Sequence, residues 1–250
     1  MQHHTEAISI KYHQTDGSGI LSPTALLEIL QDAAIDHSDA LGYTLDYMAK
    51  HQWGWAVIHW HIVLLRMPAH AETIQVQTWS NKCRKIQAER SYIIKDGTGN
   101  PIAKAMSRWV LMDFAKRKPA TVPDHMIANY GTDQIPAIEG EKYPMPKHPI
   151  GTLIGQQQFT VSRCDTDTNG HTNNVKYLAW AMEDIPDTIY QNMTLHDIRV
   201  VYRKECKRHD VVQTKTYLQQ NDDTQTILTF LTDIQNNILC EIQTLWHATT

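Results

Sequence analysis

The chain has 250 residues, of which 42% are hydrophobic and 20% charged, and its formal net charge at pH 7 is -4. This length allows one large domain or two small ones with a buried core, and the net charge argues against a protein that binds nucleic acid over its whole surface. Apolar runs stay shorter than a membrane span, and the first residues lack the basic flank and apolar core of a secretory signal. We therefore expect a globular protein with no membrane span and no nucleic-acid partner.

The four cysteines, Cys83, Cys164, Cys206 and Cys240, are widely spaced and form no CxxC pair. Such spacing argues against both a disulfide framework and a zinc ribbon, so we interpret them as reduced thiols in a cytoplasmic protein. The 14 histidines invite a metal hypothesis, but the sequence has no HExxH pair of the kind that binds zinc on a helix. We expect neither a metal nor a cofactor.

In the first half, a strand-like run at residues 7–12 leads through a polar loop into a helix. Ser22 is a suitable N-cap, Pro23 is tolerated at the first helical position, and Gly42 is a suitable stop. Between them, apolar residues recur with the spacing of an amphipathic helix. Four strand-like segments follow at residues 56–65, 73–79, 88–95 and 102–113, and Gly-containing hairpin signals join the last two.

From about residue 131 the periodicity disappears and prolines become frequent, which predicts a linker. We expect an N-terminal domain at residues 1–130, a linker at 131–153 and a C-terminal domain at 154–250. The second half then has a strand at 157–161, a polar loop and a helix from about Asn173 to Asp184. Strand-like segments follow at 198–205, 211–217, 226–233 and 238–247.

The order of elements in the second half repeats that of the first, which indicates an internal duplication. Three loop positions align between the halves: Asp16 with Asp167, Gly19 with Gly170, and Ile20 with His171. Near the position of Glu205, the first half has only Arg66 or Met67. The duplicated scaffold is therefore predicted to carry one working site, in its second half.

The candidate site residues lie in the polar loop before the second helix and at the end of a predicted strand. Asp167, Asn169 and His171 precede a helix start whose free N–H groups can polarise a carbonyl oxygen, and Glu205 adds a general base. Each residue alone also has a structural explanation, because turns favour Asp, Asn and Gly and Asn173 or Thr172 would serve as the helix N-cap. In combination they point to hydrolysis of an activated ester.

Glu205 and Cys206 are adjacent, so on a regular strand their side chains would face opposite ways. Glu205 would activate water, whereas Cys206 would act as a thiolate and would need to lie within hydrogen-bond reach of an imidazole. Glu205 is favoured because cysteine is among the residues most often simply buried. Cys206 remains open as the less favoured nucleophile.

The run from Asp167 to Tyr177, followed by Tyr202-Arg203-Lys204-Glu205-Cys206, resembles the acyl-acyl carrier protein (ACP) thioesterases of the plant FatA/FatB type and their bacterial relatives. The first half is similar in three further stretches: Leu30-Gln31-Asp32-Ala33-Ala34 with His37, Thr78-Trp79, and Trp109-Val110-Leu111-Met112. The resemblance implies an α+β tandem hotdog fold, in which each half wraps a curved antiparallel sheet around a long helix. It also implies an acyl-chain pocket in the first half and hydrolysis of acyl-ACP to free fatty acid, which terminates chain elongation.

Carried over by position, the family's catalytic set matches Asp167, Asn169, His171 and Glu205, and Cys206 occupies the position once assigned as nucleophile. Gly170 stands where the plant enzymes usually carry Gln, and the lack of a plastid-targeting extension suggests a bacterial cytoplasmic protein or a trimmed chain. Asp167 would either orient the network or attack the thioester itself. The alternatives are a hotdog acyl-CoA thioesterase or dehydratase, and a non-catalytic acyl-binding protein.

The partner that the resemblance implies is an ACP bearing a phosphopantetheine-linked acyl chain. Because ACP is strongly acidic, its docking patch should be basic, and three clusters are candidates: Lys82, Arg84 and Lys85; Lys116, Arg117 and Lys118; and Arg203, Lys204, Lys207 and Arg208. The oligomeric state stays open, with a homodimer as one option.

Overall fold

The structure is a computed structural model. It describes residues 3–131, 134–140, 145–146, 148–167, 170–221 and 223–248. The chain divides into two compact units, residues 1–141 and 142–250.

The first unit is an antiparallel sheet with one long helix and two short ones. Its elements are β1 (His4–Ser9), α1 (Pro23–Ala40), α2 (Leu45–His51), β2 (Trp53–Leu64), β3 (Thr73–Arg84), β4 (Gln87–Lys95), β5 (Pro101–Asp113), β6 (Lys118–Pro119) and α3 (Asp124–Tyr130). The strands pair in the order β1-β3-β4-β5-β2, and β6 pairs with β5. Helix α1 contacts β1 and β3.

Helix α1 forms where the sequence predicts it. The Ser22 side chain accepts the Ala25 N–H at 3.1 Å, and Pro23 occupies the first turn. Leu27, Leu30 and Ala33 lie on one stripe of the helix and have no exposed surface. Burying each leucine contributes roughly 1.5–3 kcal/mol, so this stripe fixes the helix against the sheet.

The second unit repeats this plan with a shorter helix. Its elements are β7 (Thr152–Gly155), β8 (Gln158–Thr160), α4 (Asn174–Met182), α5 (Asp187–Tyr190), β9 (Met193–Tyr202), β10 (Val211–Gln220), β11 (Thr224–Thr232) and β12 (Ile238–Ala248). The strands pair in the order β9-β12-β11-β10, and β7 and β8 both pair with β10. Helix α4 contacts β10, β11 and β12.

The backbone hydrogen bonds confirm the internal duplication. In the first unit the Asp16 N–H donates to the Ile20 carbonyl at 2.8 Å, and in the second the Asp167 N–H donates to the His171 carbonyl at 2.8 Å. The turn in each unit passes through a glycine with positive φ, 77° at Gly19 and 75° at Gly170, a conformation that glycine adopts without strain. The two loops are therefore built in the same way.

The same correspondence extends to the segments that follow β2 in the first unit and β9 in the second. The Leu21 N–H donates to the Pro68 carbonyl at 2.9 Å, and the Thr172 N–H donates to the Cys206 carbonyl at 2.8 Å. Pro68 is thus the counterpart of Cys206. Of the two residues considered as the counterpart of Glu205, the structure selects Met67.

The predicted α+β tandem hotdog fold is confirmed, with differences in detail. Helix α4 has 9 residues where α1 has 18. The short helices α2, α3 and α5 are absent from the prediction, because seven or four residues are too few to show a period. Strand β7 begins at Thr152, inside the segment predicted as a linker.

The strand predicted to reach Glu205 ends earlier, at Tyr202. The N–H groups of Arg203 and Lys204 both donate to the Leu239 carbonyl, at 2.8 and 3.2 Å. Two donors on one acceptor interrupt the ladder, so residues 203–206 lie outside the strand. Among the described residues, no helix combines the length and apolar character needed to cross a bilayer.

Candidate active site

The loop before α4 is held by Asp165. Its carboxylate accepts the Ser162 N–H at 2.8 Å and the Ser162 hydroxyl at 2.5 Å, and its carbonyl accepts the Asn173 N–H at 2.7 Å. Burial would raise the pKa of Asp165, but the bonds from Ser162 and the nearby Lys176 ammonium outweigh it and lower the pKa. An ionised Asp165 therefore anchors the loop.

Asn173 is the N-cap of α4, which decides between the two residues considered for that role. Its side chain accepts the Val175 N–H at 3.2 Å. Thr172 instead lies one residue earlier and donates its N–H to the neighbouring Cys206 segment. The helix therefore starts directly after the polar loop, as predicted.

Asp167 shapes the turn that presents His171. Its Oδ1 accepts the His171 N–H at 3.1 Å, and the two backbones bond in the opposite direction at 2.8 Å. Asn169 lies outside the described residues. Of the predicted loop residues, the structure therefore shows Asp167 and His171 in direct contact.

Glu205 is brought to the His171 ring. Nε2 of His171 lies 3.4 Å from Oε2 of Glu205. A backbone bridge between His171 and Lys207 and the Thr172 bond to Cys206 hold the two segments together. The Glu205 side chain is 64% exposed and that of His171 26%, so the pair is accessible to water and substrate.

Cys206 points away from this pair into the core, where it is 2% exposed. Its Sγ lies 3.1 Å from the Thr172 hydroxyl and 3.0 Å from the Tyr177 hydroxyl. Burial raises the pKa of the Cys206 thiol, although these two hydroxyls oppose the effect. Since the thiolate is the reactive form, this environment disfavours Cys206 as a nucleophile.

Glu205 and Cys206 do face opposite ways, but not for the predicted reason. The prediction relied on the alternation of a regular strand, and the strand has already ended at Tyr202. The separation results from hydrogen bonds that hold Cys206 inside. The sequence does not predict the contact of Tyr177 with Cys206, because a tyrosine that follows the apolar periodicity of a helix is interpreted as a core residue.

One detail of the predicted site is wrong, because the backbone N–H groups at the helix start were expected to be free. Three of them already have acceptors within the protein: His171 bonds to Asp167 Oδ1 at 3.1 Å, Thr172 to the Cys206 carbonyl at 2.8 Å, and Asn173 to the Asp165 carbonyl at 2.7 Å. They serve the loop and are not available to polarise a substrate carbonyl. A donor to the substrate oxygen therefore has to be a group other than these three.

The first unit contains a cavity of about 1150 Å³, lined chiefly by apolar side chains. Val63, Trp79, Ile93 and Ile135 contribute to its walls. Tyr130 also lines the cavity, and it belongs to a hydrophobic cluster that includes Met48 and against which Trp53 and Trp55 pack.

A group of three potential metal ligands also lies in the first unit. The ligand atoms of His4, Glu6 and Asp36 all lie within 4.8 Å of one another. Burial, with a smaller contribution from Asp36, raises the pKa of Glu6. None of the three belongs to the loop or to the segment that carries Glu205.

Matches to known protein families extend over nearly the whole chain. The model of the acyl-ACP thioesterase N-terminal domain matches residues 1–130, and that of the C-terminal domain matches residues 153–248. The chain is 27% identical over 231 residues to the acyl-[acyl-carrier-protein] hydrolase FATB3 of Cuphea viscosissima, covering 87% of this chain and 55% of the relative. It is 29% identical over 225 residues to the oleoyl-acyl carrier protein thioesterase of Coriandrum sativum, covering 82% and 60%.

The chain thus spans little more than half the length of these curated relatives. Among solved structures, a Lactobacillus plantarum protein superposes with a TM-score of 0.91 at 25% identity, covering 100% of this chain and 97% of that one. The 12:0-ACP thioesterase from Umbellularia californica superposes with a TM-score of 0.87 at 24% identity, covering 99% and 98%. The second likeness supports the fold. With both domain models matched in order, this chain belongs to the acyl-ACP thioesterase family.

Proposed function

We propose that this chain hydrolyses the thioester of acyl-ACP and releases a free fatty acid and ACP, which ends chain elongation. The observation that carries the proposal is the accessible pair of His171 and Glu205, with Nε2 and Oε2 3.4 Å apart at the start of α4. The curated relatives are named acyl-ACP hydrolases and thioesterases. Thioester hydrolysis needs a positioned base, and this pair supplies one.

In the proposed mechanism Glu205 removes a proton from water while the His171 imidazole supports the carboxylate. The water oxygen attacks the thioester carbonyl and forms a C–O bond, and the carbonyl π electrons move onto the carbonyl oxygen. Collapse of this tetrahedral intermediate breaks the C–S bond. The departing thiolate takes the proton from Glu205, so the carboxylate is restored and no other reactant is consumed.

Asp167 is proposed to orient the network rather than to attack the thioester. Its Oδ1 accepts the His171 N–H at 3.1 Å, and a covalent step would require this carboxylate to leave the turn that it closes. Asn169 is proposed as a donor to the developing oxyanion, as the family resemblance implies. Because the nearby N–H groups of residues 171–173 are used within the loop, a side-chain donor would serve in their place.

Cys206 is proposed to be structural. Its burial, its raised pKa and its contacts with the Thr172 and Tyr177 hydroxyls support this assignment. A nucleophilic thiol needs an imidazole within hydrogen-bond reach. In the described residues, the His171 ring is paired with Glu205 instead.

The two halves are proposed to divide the work, with the acyl chain held by the domain at 1–130 and catalysis performed by the domain at 154–250. The apolar cavity of the first unit is one candidate for the chain. The cytoplasm is proposed as the compartment, as expected from the sequence.

ACP is proposed to dock on basic residues beside Glu205. Three members of the candidate clusters are engaged in ion pairs: Lys116 with Asp113, Arg203 with Glu241, and Lys204 with Asp233. Lys207 and Arg208 are exposed and lie two and three residues after Glu205. They are therefore the best placed to meet the acidic carrier.

The test is incubation of the purified chain with acyl-ACPs of different chain lengths, followed by identification of the released acids. Release from acyl-ACP in preference to the matching acyl-CoA supports the proposal. Preference for acyl-CoA would instead indicate the acyl-CoA thioesterase. Tight binding of acyl chains without release would indicate a non-catalytic acyl-binding protein.

A further inference from the structure

We infer that Tyr177 is a positioning residue for Glu205. Its hydroxyl holds Cys206, the next residue along the chain, and thereby fixes the backbone from which the Glu205 side chain extends. The inference rests on the proposed function, because it assigns a role in that reaction. Tyr177 lies in α4, and its side chain is 2% exposed. It reaches from the inner face of the helix to the segment that follows β9.

One hydroxyl holds both the backbone and the side chain of Cys206. The Cys206 N–H donates to Tyr177 Oη at 3.2 Å, and the same oxygen lies 3.0 Å from Sγ. The Cys206 carbonyl accepts the Thr172 N–H at 2.8 Å. With its N–H, carbonyl and thiol all bound, Cys206 has little freedom to move.

This fixation matters because the sheet no longer guides the chain at this point. Strand β9 ends at Tyr202, and the last backbone hydrogen bonds to the neighbouring strand run from the N–H groups of Arg203 and Lys204 to the Leu239 carbonyl. Glu205 follows with a side chain that is 64% exposed, so packing does not hold it. Its position is therefore set by Lys204 on one side and by Cys206 on the other.

The first half of the chain provides an internal comparison. Tyr177 is four residues after the N-cap Asn173, and the residue four after the N-cap Ser22 is Leu26, which is 1% exposed. The counterpart of Cys206 is Pro68, and proline has no N–H to donate. The half without the acid thus has no N–H at this point and no hydroxyl to accept it.

The pairing of hydroxyl with N–H therefore occurs only in the half that carries the acid–base pair. A buried N–H without an acceptor costs about 1–3 kcal/mol, so the N–H of Cys206 explains why a polar atom is needed. It does not explain why the second half has Cys206, with an N–H, where the first half has Pro68, with none. The placement of the neighbouring Glu205 does explain this difference, since the N–H gives the segment an extra anchor.

A second tyrosine ties the same segment to the helix. Tyr202 donates its hydroxyl to the Asn174 carbonyl at 2.9 Å, and its ring meets that of Tyr177 at 5.6 Å and 77°. Burial raises the pKa of both phenols. Both hydroxyls consequently keep their protons through the neutral and alkaline range, and the anchor does not change with pH there.

The test compares Tyr177→Phe with Tyr92→Phe. Tyr92 is a matched control because its hydroxyl is also buried and lies 3.1 Å from the Ser107 hydroxyl in the first unit. Misplacement by about 1 Å can cost roughly 100-fold in rate. We expect kcat for acyl-ACP to fall at least about 10-fold in Tyr177→Phe with KM within about twofold, whereas Tyr92→Phe keeps the kcat of the wild type.

The melting temperature of each variant separates positioning from stability. A purely structural role predicts that both variants lose melting temperature and that neither loses kcat at a temperature where both are folded. That result would overturn the inference. A second variant, Tyr177→Leu, introduces the residue of the first half and should show the same loss of kcat; retained kcat in either variant of Tyr177 contradicts the inference.

The outcomes also separate this inference from the proposed function. An inactive wild type would refute the proposed hydrolysis of acyl-ACP itself. An active wild type with an equally active Tyr177→Phe would refute only the positioning role. The pH profile of kcat gives a further readout, because a displaced carboxylate changes the profile set by the His171–Glu205 pair, whereas simple destabilisation leaves its shape unchanged.

Discussion

Replacement of Glu205 by glutamine should remove most of the activity and leave the fold intact. The change keeps the size of the side chain and removes its basicity. A positioned general base contributes roughly 10²–10⁴ in rate, which corresponds to about 2.7–5.4 kcal/mol of transition-state stabilisation. We expect kcat to fall by that range while KM changes little, because the carboxylate acts on water rather than on the acyl chain.

The cost to stability should be small for a reason visible in the structure. The Glu205 side chain is 64% exposed and its charged contact is His171 at 3.4 Å. Exposed ion pairs contribute about 0–1 kcal/mol, so the free energy of unfolding should change by no more than about 1 kcal/mol. Thermal unfolding of wild type and variant would measure this, and hydrolysis of acyl-ACP under saturating substrate would measure kcat.

Glu183→Gln is a suitable control, since Glu183 is an exposed carboxylate just after α4 in the same unit. It should keep the wild-type kcat. The reasoning would be refuted by a folded Glu205→Gln variant whose kcat falls by much less than about 100-fold, since a true general base is worth at least roughly 10².

The remaining predictions concern the thiols, metals, carrier docking and acid stability. Cys206→Ala should keep kcat within about tenfold, and at pH 7 a thiol-alkylating reagent should modify the exposed Cys164 before the buried Cys206, as peptide mass spectrometry would show. Incubation with a strong chelator should leave activity unchanged, measured by the same hydrolysis assay. The double charge reversal Lys207→Glu with Arg208→Glu should raise KM for acyl-ACP and leave KM for a small thioester unchanged. Burial, Arg90 and nearby histidines lower the pKa of His37 to about 3, so its folded form stays neutral while the unfolded chain takes up a proton below about pH 6.5. Between these two pH values the free energy of unfolding should fall by about 1.4 kcal/mol per pH unit on acidification. In His37→Gln, the free energy of unfolding measured by urea titration at a series of pH values should depend less steeply on pH.

Each of these has a result that would contradict it. Loss of all activity in a folded Cys206→Ala would restore the thiol mechanism, and inhibition by the chelator that is reversed by added metal would show metal dependence. For docking, the control is Lys11→Glu, an exposed charge reversal outside the candidate clusters. An equal rise of KM for acyl-ACP in this control would show that the net charge of the protein, and not a docking site, causes the effect. An acid-unfolding slope unchanged by His37→Gln would show that other groups dominate.

Much of the fold follows from local signals in the sequence. Ser22 and Pro23 mark the start of α1 because capping and the fixed φ of proline act within a few residues. The alignment of Asp16 with Asp167 is visible because a turn of this kind needs its Asp and Gly at fixed spacing. These features depend on neighbours along the chain, so the sequence alone is enough to predict them.

What the sequence could not reveal depends on partners distant in the chain. The end of β9 at Tyr202 is caused by two N–H groups that share the Leu239 carbonyl, and no local pattern encodes that acceptor. The inward direction of Cys206 likewise depends on the Tyr177 hydroxyl, 29 residues earlier. The N–H groups before α4 are committed to acceptors that only the folded loop supplies.

The most direct test of the account is quantification of both products from a defined acyl-ACP with wild-type protein and with Glu205→Gln. The account predicts free fatty acid and deacylated carrier in equal amounts from the wild type, and at least roughly 100-fold slower release from the variant. Equal rates for the two folded proteins, or no release by the wild type from any chain length, would contradict hydrolysis at the His171–Glu205 pair.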